Sequence, residues 1–173
     1  MNHNVLIVDD ERTITDMLKD ALSREPYNIL IAASAEEALA VLTREQVDVV
    51  ISDEKMPGMP GSEFLAIVRQ KYPDTIRMIL TGYASLESAI RSINEGEIYR
   101  FFTKPFNVFD LAVTIRQALQ QKDLMKETQR LLKVVKRQSA FIDEMEQQYP
   151  GITKVKRDAE GAIIIDEGID NGS

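Results

Sequence analysis

Val47-Asp48-Val49-Val50-Ile51-Ser52-Asp53, followed at once by Glu54-Lys55-Met56-Pro57-Gly58-Met59-Pro60-Gly61, is the stretch from which the fold can be read. Branched aliphatic residues follow one another without polar alternation, as in a strand covered on both faces. The run ends on an acid, and two prolines and two glycines then forbid its continuation. Asp48 is the one charge inside it. The same grammar recurs four times: Val5 to Val8 before Asp9-Asp10, Ile29 to Ala32, Met78 to Leu80 before Thr81-Gly82, and Tyr99 to Phe102 (with Arg100 inside) before Thr103-Lys104-Pro105.

Helical periodicity fills the intervals. Ile14, Leu18, Ala21 and Leu22 form one apolar stripe; Ala38, Leu39 and Leu42 a second; Phe64, Leu65 and Val68 a third; Leu86, Ala89, Ile90 and Ile93 a fourth. Ser34 with Glu37 fits a capping box, Ser62 and Asn107 are candidate caps of the third and fifth helices, and Gly96 suits the end of the fourth. Strand and helix thus alternate five times up to about residue 121. This predicts an α/β, doubly wound, five-stranded parallel sheet with right-handed crossovers.

The fifth helix has no stop signal between Val108 and Gln148, and Tyr149-Pro150-Gly151 ends it. From Leu124, positions at alternating spacings of four and three read Leu124, Thr128, Leu131, Val135, Gln138, Ile142 and Met145, a coiled-coil seam with two polar layers. The expected organisation is a domain over 1–121, a helical extension over 122–149, and a short tail over 150–173. The tail has the pattern of a small hairpin, with Val155 and Ala162 to Ile165 as arms around Asp158 to Gly161, and its acidic end is expected to be disordered. Lys122, Lys126, Arg130, Lys133 and Arg137 make a basic stripe, read as the solvated flank of the coil.

The 173 residues carry a net charge of −7, which argues against a broad nucleic-acid or anionic-membrane footprint. There is no cysteine, so disulfides and thiolate metal sites are excluded. His3, the sole histidine, reads as a solvated residue near a loose terminus. No signal peptide and no membrane-length apolar run appear, which predicts a cytoplasmic protein.

Asp9, Asp10, Asp53, Thr81 and Lys104 all follow strands, so a parallel sheet would gather them at one edge, where such folds place functional groups. Three clustered carboxylates repel one another and invite a hard divalent cation with oxygen ligands, such as Mg²⁺. A carboxylate can also be a nucleophile toward phosphorus. A lysine ammonium and a threonine hydroxyl supply the charge neutralisation and hydrogen bonding that phosphoryl transfer requires.

The blocks Leu6 to Glu11, Asp53 to Gly61, Leu80-Thr81-Gly82 and Thr103-Lys104-Pro105-Phe106, in this order and spacing, resemble the receiver domain of two-component response regulators. The resemblance covers residues 1 to about 121 and implies a flavodoxin-like strand order 2-1-3-4-5. It implies that Asp53 is the phosphoacceptor, that Asp10 binds Mg²⁺ directly and Asp9 directly or through water, and that Lys55 lends its backbone carbonyl. Lys104 would pair with the phosphoryl group, Pro105 would follow it in a cis peptide, and Thr81 and Phe101 would be the switch residues. Phe101 stands where tyrosine is frequent, so no phenolic hydrogen bond can report the switch. Lys55 and Tyr83 occupy positions that tune phosphoryl lifetime in the family.

The implied partner is a sensor histidine kinase or phosphotransfer protein, read by the first helix around Thr13, Met17 and Asp20. The expected output is protein association, with a homodimer formed through the fourth and fifth helices and the coiled coil. The alternative is the regulatory front of a longer signalling enzyme, of the cyclic-nucleotide phosphohydrolase or cyclase type. An independent aspartate-nucleophile phosphatase would need a second aspartate where Lys55 stands. The chain therefore reads as a switch with at most self-phosphorylation and self-dephosphorylation, not an enzyme.

Overall fold

The computed structural model describes residues 3–82 and 98–152. In chain order these form β1 (His3–Val8), α1 (Arg12–Leu22), β2 (Tyr27–Ala32), α2 (Ala35–Arg44), β3 (Val49–Asp53), α3 (Gly61–Lys71), β4 (Ile76–Thr81), β5 (Arg100–Thr103) and a long helix, Val108–Gln148. The strands make one parallel sheet in the order β2-β1-β3-β4-β5. The fourth apolar stripe, Gly96, Tyr83 and the hairpin expected beyond residue 152 lie outside the described residues.

Side chains alternate across a strand, and that parity builds two cores. On one face Leu6, Val8, Val50 and Ile79 meet Ala38 and Leu42 of α2 and Phe64, Leu65 and Val68 of α3. On the other, Val5, Ile7, Val49, Ile51, Met78 and Leu80 meet Leu18 and Leu22 of α1 and Leu111, Ile115, Ala118 and Leu119 of the long helix. Every strand residue in these two sets is fully buried or within a percent of it. Each large aliphatic side chain so covered contributes about 2 kcal/mol. This two-sided burial is why the strand sequences show no polar alternation.

Several local expectations need correcting. The inner stripe of α1 includes buried Thr15, whose hydroxyl donates to the Arg12 carbonyl at 2.9 Å, while Ala21 is exposed. The Ser34 hydroxyl accepts from the Glu37 N–H, as a capping box requires, but the Glu37 carboxylate reaches the N–H of Ala33 rather than that of Ser34. Ser62 is not a cap, because Pro60 takes that place and the helix already begins at Gly61. Asn107 does bond the start of the long helix, its side chain accepting from the Phe109 N–H at 2.9 Å.

His3 is not loose. It opens β1, with its ring nitrogens 3.2 Å from Asp48 Oδ2 and 3.1 Å from Asp123 Oδ2. Lys122 leaves the basic stripe: its ammonium lies 2.8 Å from Asp48 Oδ1, and both side chains are about nine-tenths covered. Asp48 also accepts the Asn4 N–H. Asp48 therefore precedes β3 rather than interrupting it.

The chain divides into two compact units, Met1–Asp123 and Leu124–Ser173. In the second, Leu124, Leu131, Val135 and Ile142 are exposed along the helix, as are Thr128 and Gln138 between them. Among the described residues no helix is long and apolar enough to cross a membrane.

Candidate functional site at the carboxyl edge of the sheet

Strand register sets the site. Val8 pairs with Ser52, so Asp9 and Asp53 emerge level with each other. Asp53 pairs with Leu80 and Thr81 with Thr103, which brings Thr81 and Lys104 to the same edge. Main-chain bonds just past the strands hold these levels: Asp9 N–H to Ala32 O, Glu54 N–H to Leu80 O, and Lys104 N–H to Thr81 O. The Lys104–Pro105 peptide is cis.

One carboxylate oxygen from each of Asp9, Asp10 and Asp53 lies within 4.8 Å of the others. Asp9 and Asp53 are buried and Asp10 is exposed. Lys104 Nζ sits 2.8 Å from Asp53 Oδ1 and 3.2 Å from Asp9 Oδ2. The other Asp9 oxygen accepts the Glu11 N–H at 2.9 Å, anchoring the start of α1. Among the described residues one ammonium thus faces three carboxylates. Burial pushes the Asp53 carboxyl above its usual range; Lys104 opposes this, and the charges of Asp9 and Asp10 add to the rise. Burial also works against the Lys104 ammonium, but Asp53 and Asp9 outweigh it and raise its affinity for the proton. The deficit of positive charge and the all-oxygen donor set fit a hard divalent cation.

The remaining expected residues are less engaged with this cluster. Thr81 is buried at the edge, but its hydroxyl donates to the Gly82 carbonyl at 3.1 Å. The Lys55 side chain is exposed. Phe101 is partly buried and packs with the core that α2 and α3 cover, while its neighbour Phe102 packs on the opposite face. Thr13, Met17 and Asp20 are all exposed on α1.

Two features beside the site were not anticipated. Gly61 has no room for a side chain, since a Cβ there would lie 2.1 Å from the Asp53 carbonyl oxygen. The Glu54 carboxylate accepts both the N–H and the hydroxyl of Ser62, at 2.7 and 2.9 Å. Glycine after a proline-rich turn was the available signal for the first. Nothing in the spacing of Glu54 and Ser62 announced the second.

A family model described as the response regulator receiver domain matches residues 5–116. The chain is 39% identical over 127 residues to the hydrogenase transcriptional regulatory protein HoxA of Cupriavidus necator, a match covering 73% of this chain and 26% of that protein. It is 41% identical over 128 residues to the transcriptional regulatory protein YvrH of Bacillus subtilis, covering 73% and 53%. Among solved structures, it is similar to the signal receiver domain of an HD domain-containing protein from Pseudomonas fluorescens Pf-5. That match has a TM-score of 0.67 and 39% identity, over 71% of this chain and 98% of that one. The chain thus spans about a quarter to a half of the curated relatives it matches.

Proposed function

The chain belongs to the response regulator receiver family, and from that premise we propose that Asp53 accepts a phosphoryl group from a histidine kinase or phosphotransfer protein and that the fold turns the added charge into a change of partner binding. The observation that supports this most is the Lys104 ammonium at 2.8 Å from Asp53 inside a three-carboxylate cluster.

In the transfer, an Asp53 carboxylate oxygen bonds to phosphorus as the donor's bond to phosphorus breaks, and the departing group takes its proton from solvent. Asp10, Asp53 and the Lys55 carbonyl would hold Mg²⁺, with Asp9 direct or through water. When bound, that cation supplies neutralisation of charge on the phosphoryl oxygens. Lys104 stays beside Asp53 and pairs with the incoming group. Thr81 gives up its bond to the Gly82 carbonyl and turns its hydroxyl toward the phosphoryl group, and Phe101 follows by changing its packing. The family is generally a phosphoacceptor switch rather than an enzyme in the ordinary sense. Its turnover is limited to self-phosphorylation from small donors and slow self-hydrolysis.

The proposed output is association of two copies. An isolated helix leaving Leu124, Leu131, Val135 and Ile142 in water gains by pairing them with a second copy along the seam. The face around the start of the long helix and β5 would take part with it. Kinase recognition is assigned to the exposed α1 residues Thr13, Met17 and Asp20.

Light scattering of the wild type and Asp53→Asn, with and without Mg²⁺ and beryllium fluoride, tests the coupling. The wild type is expected to shift from monomer to dimer with the phosphoryl mimic, and Asp53→Asn is not. A mass that stays constant in every state removes phosphorylation-driven assembly.

A further inference from the structure

Glu54 stands between the residue proposed to be phosphorylated and the residue proposed to lend a carbonyl to the cation, and every polar atom it has is held. Its N–H donates to the Leu80 carbonyl at 2.8 Å, tying it to β4. Its carbonyl accepts the Gly61 N–H at 3.0 Å. Its two carboxylate oxygens take the Ser62 N–H and hydroxyl. The turn from Glu54 to Ser62 is therefore closed by three hydrogen bonds between its two ends. Gly61 completes the closure, because only hydrogen at its α-carbon allows the Asp53 carbonyl to approach so nearly.

This arrangement also disposes of a charge. Glu54 directly follows Asp53 and would be a fourth carboxylate at an edge already short of positive charge. Both of its oxygens are instead bonded at the first turn of α3, where unpaired N–H groups and the helix dipole favour an anion. A residue anchored at its N–H, carbonyl and carboxylate has little freedom to rotate the peptide that follows it. That peptide carries the Lys55 N–H, and the Lys55 carbonyl follows one peptide on, inside the closed turn.

We propose that Glu54 and Ser62 are positioning residues for the divalent cation: their paired hydrogen bonds close the turn and fix the main chain at Lys55 beside the Asp9-Asp10-Asp53 cluster. The inference rests on the reading of that cluster as the cation site. It concerns the shape of the turn, not the charge of Glu54. Glutamine keeps the shape, since its carbonyl oxygen accepts the Ser62 N–H and its amide donates to the Ser62 hydroxyl oxygen. Alanine at either position opens the turn.

Calorimetric titration of the full chain with Mg²⁺, alongside thermal unfolding, tests this on the wild type, Glu54→Gln, Glu54→Ala, Ser62→Ala and Asp53→Asn. Glu54→Ala and Ser62→Ala are expected to bind Mg²⁺ about tenfold more weakly, and Glu54→Gln within about twofold of the wild type. If the two alanine variants lose thermal stability but bind Mg²⁺ as the wild type does, the clamp is structural only and the proposal falls. If Glu54→Gln is as weak as Glu54→Ala, the residue acts through its charge and the proposal also falls. Should Glu54→Ala fail to fold, Ser62→Ala carries the same decision. A wild type that binds no Mg²⁺, or binds it as well after Asp53→Asn, overturns the cluster reading itself, and the proposal with it.

Discussion

The two ends of the sheet each hold a knot of charges, and they are built to opposite ends. At the amino edge, Asp48 is met by the Lys122 ammonium, the His3 ring and the Asn4 N–H. Burial alone would raise the Asp48 carboxyl, but these partners, Lys122 foremost, hold it below the usual carboxylate range. At the carboxyl edge, Asp53 has one ammonium to share with Asp9, with Asp10 close by, and its carboxyl is held above that range. The first cluster is satisfied and stabilises the fold. Among the described residues the second is left short of positive charge, a cost to stability that a bound cation would offset. The completed network serves the fold; the incomplete one, at the edge where parallel sheets bind ligands, is the candidate site.

The largest expected effect lies where the functional edge meets the backbone. Gly61→Ala forces a carbon into the Asp53 carbonyl, and denaturant unfolding should show a loss of about 3 kcal/mol. A variant as stable as the wild type would mean that α3 shifts freely, and the tight register at this edge would be a false account.

Next comes the satisfied cluster. Asp48→Ala strands the Lys122 ammonium among covered groups and should cost about 2 kcal/mol at neutral pH. The sign with pH follows from the depressed carboxyl. Its contribution is present in full above the unfolded-state value and is lost as pH falls through the lower folded-state value. The stability gap between the wild type and Asp48→Asn should therefore close as pH falls below the ordinary carboxylate range, and a gap that widens in acid would break the contrast.

The smallest effect has the opposite sign. Without Mg²⁺, Asp53→Asn removes one of three crowded carboxylates and should raise the melting temperature by a few degrees. A lower melting temperature would mean that the Lys104 pairing outweighs the crowding, and the two edges would then be alike.

The functional edge was legible in the sequence, and the structural one was not. Asp9, Asp53, Thr81 and Lys104 each end an apolar run, so recognising a parallel sheet was enough to gather them. The strand order itself came from the family resemblance, which the observed pairing matches. The amino-edge cluster joins residues far apart in the chain: Asp48 and Lys122 are 74 positions apart. Their meeting depends on where the long helix crosses the sheet, which periodicity does not specify. Asp48 was visible only as a charge inside an apolar run. The missed inference was that a charge so placed demands a covered partner. Ser62 misled for a related reason: its type suits a cap, but Pro60 already fixes the entry to α3. Lys122 was hidden within a run of basic residues whose other members sit on the exposed helix beyond it.

The most direct test of the central claim is the intact mass of the protein after exposure to a small phosphodonor such as acetyl phosphate, with and without Mg²⁺. The wild type should gain the mass of a single phosphoryl group when Mg²⁺ is present and revert slowly on its own, while Asp53→Asn gains none. Phosphoryl uptake by Asp53→Asn equal to that of the wild type, or a wild type that stays unmodified with both donor and Mg²⁺ in excess, would contradict the account.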